Sequence, residues 1–148
     1  MPTLKEKLLI PANRPRLVQD CRVLLDDEVD KKGGLSGLAI KGAFKVVKSI
    51  KPGFIESVIE GLLDEWVDKL EDHYQRHLAS GSTRTFGAFA AADAGGVAEK
   101  LLEVTDARAR KVDHKTVVSL YQKLRPNAKD HVVAAVPALG RVVDRYLG

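Results

Sequence analysis

The sequence predicts an all-α fold: a single-domain bundle of six or seven helices over residues 1–148. Three observations carry that expectation. Apolar residues recur at spacings of three and four almost throughout, the period of one helix face, and strand-like alternation is nearly absent. Pro and Gly fall between most of the periodic runs, where they start and stop helices. A chain of 148 residues with 45% apolar side chains is also long and core-rich enough to fold around one interior.

The elements follow in order. A short helix is expected over about 3–9, ended by Pro11. Asn13 can cap the second helix, with Pro15 early in it, where a missing N–H is harmless. Leu17, Val18, Cys21, Leu24, Leu25 and Val29 form its apolar stripe, and Gly33-Gly34 closes it. A third helix is expected over about 35–50, stopped by Pro52. The longest should run over about 53–79, with Ile55, Val58, Ile59, Leu62, Leu63, Trp66, Leu70 and Tyr74 on one stripe and Gly81 as its stop.

Residues 83–111 read as one interrupted helix or two, because Gly95-Gly96 falls in the middle. Gly87, Ala91 and Gly95 lie four apart, so one face admits close approach of another backbone, within the monomer or between two copies. Asp113 is expected to cap a helix over about 114–124. Pro126-Asn127 would open the last helix, which Pro137 should kink or split. Val117-Val118 is the best strand candidate, yet the helical spacing of Tyr121 and Leu124 follows it. The run Leu24–Lys31 echoes Leu62–Lys69, a likeness that a duplicated hairpin or a common amphipathic pattern would explain.

The net charge of +4 conceals segregation. Residues 1–51 hold 11 basic and 6 acidic groups, residues 52–79 hold 2 and 7, and residues 80–148 hold 11 and 7. Residues 31–55 carry six lysines and no carboxylate. On the third helix, Lys41, Lys45, Lys48 and Lys51 share an arc of about 120°. Opposite them lie Leu35, Ala39, Ala43, Val46, Val47 and Ile50, with Ile40 and Phe44 on the flank. Such a basic amphipathic helix suits an anionic membrane surface or an acidic protein. A bundle of this size should nevertheless claim the apolar face for its core, leaving the lysines solvated or turned toward the acidic 53–79 helix.

Little in the sequence points to catalysis. His73 and His77 are four apart, the spacing of helical zinc ligands, but a third ligand would have to come from His114, His131 or a carboxylate, and no HExxH pattern is present. Cys21 sits on an apolar stripe and reads as a structural thiol. No Gly-x-Ser-x-Gly, Walker A or Gly-x-Gly-x-x-Gly motif occurs, and Gly33-Gly34-Leu35-Ser36-Gly37 reads as a turn and a helix start. Arg108, Arg110, Lys111 and Lys115 form a second basic cluster. The polar side chains of the 114–124 helix are permissive of a DNA reader but not diagnostic, so a solvated helix junction is expected and nucleic acid is not the expected partner. One Cys, no secretory leader and no apolar run near 18 residues point to a soluble, cytoplasmic protein. The leading expectation is a non-enzymatic protein acting by protein–protein contact, with itself as a homodimer or with an acidic protein surface, and with no cofactor. The alternative is peripheral binding to an anionic membrane or lipid through the 35–51 segment. A His-based metal protein or enzyme ranks third.

Overall fold

The computed structural model describes residues 3–147. Seven α-helices follow one another with no strand among the described residues: α1 (Leu4–Leu8), α2 (Arg14–Lys31), α3 (Gly34–Ile50), α4 (Phe54–Ser80), α5 (Phe86–Ala91), α6 (Ala94–Ala109) and α7 (Lys115–Leu147). The all-α expectation holds. The two long helices, α4 and α7, are the beams of the structure, and every shorter helix touches both.

The core forms where these elements converge. From α4 come Ile55, Ile59, Leu63, Val67, Leu70 and Tyr74; from α7 come Val136, Val142 and Val143. Leu4 and Leu8 of α1 are wholly buried beside them. α1 has only five residues, too few to hold a helix by propensity, so its two buried leucines and its Thr3 cap must hold it. The Leu4 N–H donates to Glu71 of α4 at 2.7 Å, which satisfies one of its uncapped donors.

Four sequence expectations need correction. The 114–124 helix and the helix opened by Pro126 are one continuous element, with Pro126 and Pro137 inside it. Each interior proline costs about 3 kcal/mol, but both lie exposed, where water can meet the freed carbonyls, while Val136, Val142 and Val143 are buried on the other side. The cap of α7 is His114 rather than Asp113, its Nδ1 accepting the Val117 N–H at 3.4 Å. Asn13 precedes α2 but makes no side-chain cap; its Nδ2 instead donates to the Lys7 carbonyl at 3.2 Å and ties α1 to α2. The 83–111 segment is two helices, yet it breaks at Ala92-Asp93, and Gly95-Gly96 lies in the first turn of α6. The echoed runs occupy unlike places, one ending α2 and the other in the middle of α4.

The small-residue segment serves packing within the monomer. Gly87 of α5 crosses Gly140 of α7 with no side chain between them: a Cβ at Gly87 would stand 2.6 Å from the Gly140 carbonyl oxygen, and one at Gly140 would stand 2.7 Å from the Gly87 Cα. The Gly87 N–H also donates to Asp144 at 2.9 Å. A methyl group here would force two backbones apart, so Gly87→Ala and Gly140→Ala are each expected to lose about 1–3 kcal/mol of stability in urea titrations. Gly42, with nothing within 4 Å of its would-be Cβ, provides the contrast. Gly42→Ala should gain about 0.5–1 kcal/mol from helix propensity alone. Equal effects at Gly87 and Gly42 would refute the close crossing.

Candidate interaction surface

α3 differs from its neighbours in how little of it is buried. Only Gly37 and Ala43 are fully covered, against eight residues of α4. Ser36, Ile40, Phe44, Val47 and Ile50 are half-buried on the same side, and these seven define the inward face. The outward face carries Leu35, Leu38, Ala39, Lys41, Gly42, Lys45, Val46, Lys48 and Ser49, all exposed. At 100° per residue, Lys48, Lys41 and Lys45 form one edge of this arc, and Leu38, Gly42, Leu35, Val46 and Ala39 form its middle and other edge. Leu35 is 87% exposed, Leu38 66% and Val46 41%. The expectation that Leu35, Ala39 and Val46 belong to the core is therefore overturned. The helix is rotated so that Ile40 and Phe44, expected on the flank, face inward in their stead.

The lysines do not face α4. Lys41, Lys45, Lys48 and Lys51 are all exposed, and none makes an ion pair with α4. Lys48 reaches Asp26 of α2 at 3.2 Å and lies over the Phe44 ring, and Lys51 lies over Phe54. Five of the seven acidic groups of α4 are met by other cations. Arg14 bonds Glu60 and Asp64, Arg22 bonds Glu56, Lys5 reaches Asp64 and Asp68, and Lys100 with Arg76 holds Asp72. The Arg14 hydrogen bonds hold the Asp64 carboxyl below its ordinary range. The base of α3 is tied to the body by polar bonds: Ser36 Oγ and His131 Nε2 are 2.7 Å apart, Lys32 donates to the His131 carbonyl, and Glu28 is buried between Lys31 and Lys32. Burial, reinforced by Lys32, depresses the His131 pKa, which favours the neutral ring.

The two histidines of α4 part company. His73 is 1% exposed, with Nε2 2.9 Å from Asp93 and Nδ1 3.3 Å from the Lys100 ammonium. An ammonium has no lone pair to offer, so Nδ1 must accept and Nε2–H must donate to Asp93. Gly96 clears the space this carboxylate fills, since a Cβ there would strike Asp93 Oδ2. The His73 hydrogen bond, with help from the Gly96 backbone, keeps the Asp93 carboxyl below its usual range. His77 instead donates from Nε2 to the Arg84 carbonyl at 2.7 Å, beside the rings of Phe86 and Phe89. The rings do not converge on a common point. No group of three or more His, Cys, Asp and Glu side chains is placed to hold a metal ion among the described residues. Burial raises the Cys21 thiol to about 11, so little thiolate exists near neutrality. The basic cluster of Arg108, Arg110, Lys111 and Lys115 lies where α6 meets α7, with no separate recognition helix beside it.

Sequence spacing could not have found the His73–Asp93–Lys100 cluster or the Ser36–His131 tie, because each joins residues 20 or more positions apart. These features define a helical-bundle protein with an outward-facing basic and apolar helix and no assembled catalytic constellation among the described residues. No helix of the described chain is long and apolar enough to cross a membrane. The chain belongs to the family of unknown function DUF6918, which it matches over residues 4–147. No curated protein and no solved structure matches it.

The Asp93 contact has a defined pH sign. A carboxyl whose folded pKa lies below its unfolded value adds stability that is complete above the unfolded value, near 3.9, and is lost as pH falls through the folded one. About half of the Asp93 side chain meets water, so its contribution is held to about 1 kcal/mol or less. Asp93→Asn, which keeps the shape, should therefore be less stable than wild type at about pH 7, with a smaller gap at about pH 3. A gap of the same size at both pH values would refute the assignment. Nitrogen-15 spectra at neutral pH should show His73 as the Nε2–H tautomer; an Nδ1–H tautomer would contradict the Lys100 geometry.

Proposed function

We propose that this protein is non-catalytic and works by contact, docking the outward face of α3 on a negatively charged partner surface. The observation that carries the reading is the exposure of Leu35 and Leu38 beside Lys41 and Lys45, which have no carboxylate within ion-pair distance among the described residues. Exposed leucines are ordinary when scattered, but here they share one helix face with Val46 and Ala39. A reducing, cytoplasmic setting fits the single unpaired Cys21.

Magnitudes favour the apolar half of the face as the source of affinity. Lys41 and Lys45 beside an anionic surface contribute about 1 kcal/mol each. Covering two leucines contributes roughly 1.5–3 kcal/mol each. Together these reach roughly 5–8 kcal/mol before the cost of association, a sub-millimolar to micromolar range. A second copy brings to this face the same lysines and no carboxylate, so charge complementarity does not favour the homodimer. Charge selects the partner, and the leucines hold it.

The test is the state of the protein in fresh extract of the cells that make it. Wild type is expected to sediment with a larger assembly or a particulate fraction, and Leu35→Ser/Leu38→Ser/Lys41→Gln/Lys45→Gln is expected to stay at monomer mass with its thermal midpoint unchanged. Wild type that already runs as a free monomer, or a variant that still sediments with the assembly, would sink the reading.

A further inference from the structure

We infer that the surface on which α3 docks is an anionic lipid bilayer, an inference that rests on the docking reading above and names its partner. Four observations favour lipid over an acidic protein. The first is charge. Residues 31–55 hold six lysines and no carboxylate, so nothing on this segment opposes a negative headgroup layer. Asp26 of α2, which Lys48 reaches, is also held by Arg22.

The second is shape. The outward half of α3 is the side of a helix; the clefts around Arg14 and Glu60, between α2 and α4, and around Asp27 and Arg141, between α2 and α7, include no α3 residue. A protein that takes up the side of a helix must supply the groove itself. A bilayer yields to a convex apolar edge. The third is extent. A stable protein interface draws on about 20–30 residues a side. The apolar part of this face is five residues on one helix, which is what an interfacial helix sinks into the headgroup boundary.

The fourth is the order of residues around the arc. Leu38, Gly42 and Leu35 stand at its centre, and Lys45, Lys41 and Lys48 follow in a row along one edge. With the leucines directed into the acyl boundary, that row lies at headgroup level, where lysine stems pack on apolar surface and the ammonium groups reach phosphate. The opposite edge of α3 is already against the body through Ala43, Val47 and Ile50. The protein therefore rests on the membrane along α3, with α2, α4 and α7 above it.

Purified full-length protein, mixed with vesicles of phosphatidylcholine containing a minority of phosphatidylserine, is expected to sediment with them at low salt and to be released by added salt. Vesicles of phosphatidylcholine alone should retain little. Lys41→Gln/Lys45→Gln should weaken binding about 30-fold, the equivalent of about 1 kcal/mol per lysine. Leu35→Ser/Leu38→Ser should weaken it at least about a hundredfold at unchanged charge. Unchanged thermal midpoints show that both variants are folded, as exposed positions allow. An environment-sensitive fluorophore at Leu35→Cys in a Cys21→Ser background should shift to the blue on binding, and one at the exposed Val23→Cys of α2 should not. Absence of binding to phosphatidylserine vesicles at low salt overturns the inference, as does binding that both double variants retain. If that happens while the extract assembly still depends on α3, the partner is an acidic protein and the docking reading stands. If the assembly is independent of α3, both readings fall.

Discussion

The backbone contact between Gly87 and Gly140 is the constraint on which the second half of the molecule depends. α5 has six residues and cannot persist on propensity; it is held by its Thr85 cap, by the bond from Gly87 to Asp144, and by an approach to α7 that no side chain separates. That approach sets Phe86 edge-on to Tyr74 at 5.6 Å and brings Phe86 and Phe89 beside His77, closing the end of α4. The chain then turns at Asp93, whose carboxylate is bonded by His73 from within the core, and α6 leaves in the direction that puts Val97, Ala98, Leu102 and Val104 inside. α5 and α6 are thus two helices because a buried imidazole on α4 claims the residue between them.

Charge plays a different part at the two ends of the bundle. α4 is acidic, and its carboxylates are met by Lys5, Arg14, Arg22, Arg76 and Lys100, while Lys69 crosses to Glu103. Most of these partners are half-exposed, so each pair contributes about 0–1 kcal/mol and fixes which helix lies beside which more than it stabilises the whole. Five of the seven α4 carboxylates are met in this way; Glu71 takes the Leu4 N–H and Gln75, and Glu65 stays exposed. On α3, Lys48 pairs with Asp26 of α2, while Lys41 and Lys45 make no ion pair among the described residues and point at solvent.

Much of this architecture was legible in the sequence where the signal was local. The first four helices lie within a residue or two of the places their Pro and Gly residues imply, and Gly81 ends α4 in the left-handed conformation that suits glycine. Local rules failed where tertiary contacts outweighed them. Pro126 reads as a helix start, yet α7 runs through it because Tyr121 and Arg125 bond Asp106 of α6 before it and Val136, Val142 and Val143 are buried after it. Gly95-Gly96 reads as a break, yet the break sits at Asp93 because His73 is there to receive it. A helical wheel gives the relative angles of Leu35 and Phe44 but not which of them the body covers, since both are apolar. The lysine row was visible from spacing alone; that an exposed leucine row runs beside it was not.

The inward face of α3 explains why the leucines are left outside. Its two fully buried positions are Gly37 and Ala43, and a Cβ at Gly37 would stand 2.6 Å from the Lys32 carbonyl carbon. Small residues let α3 lie close to the chain beneath it but supply little apolar area, so its attachment is weak for a helix of 17 residues. A helix held so lightly gains little for the fold from Leu35 and Leu38, most of whose surface stays in water in the folded chain. Their burial energy is therefore unspent in the monomer and becomes available only when another surface covers them. The Ser36–His131 bond and the Glu28–Lys32 pair pin the start of α3, so the leucines just beyond Gly34 are presented from a fixed base rather than a loose end. An apolar row of this kind, rigid at its origin, bordered by lysines and facing no carboxylate of its own segment, has the form of a contact element.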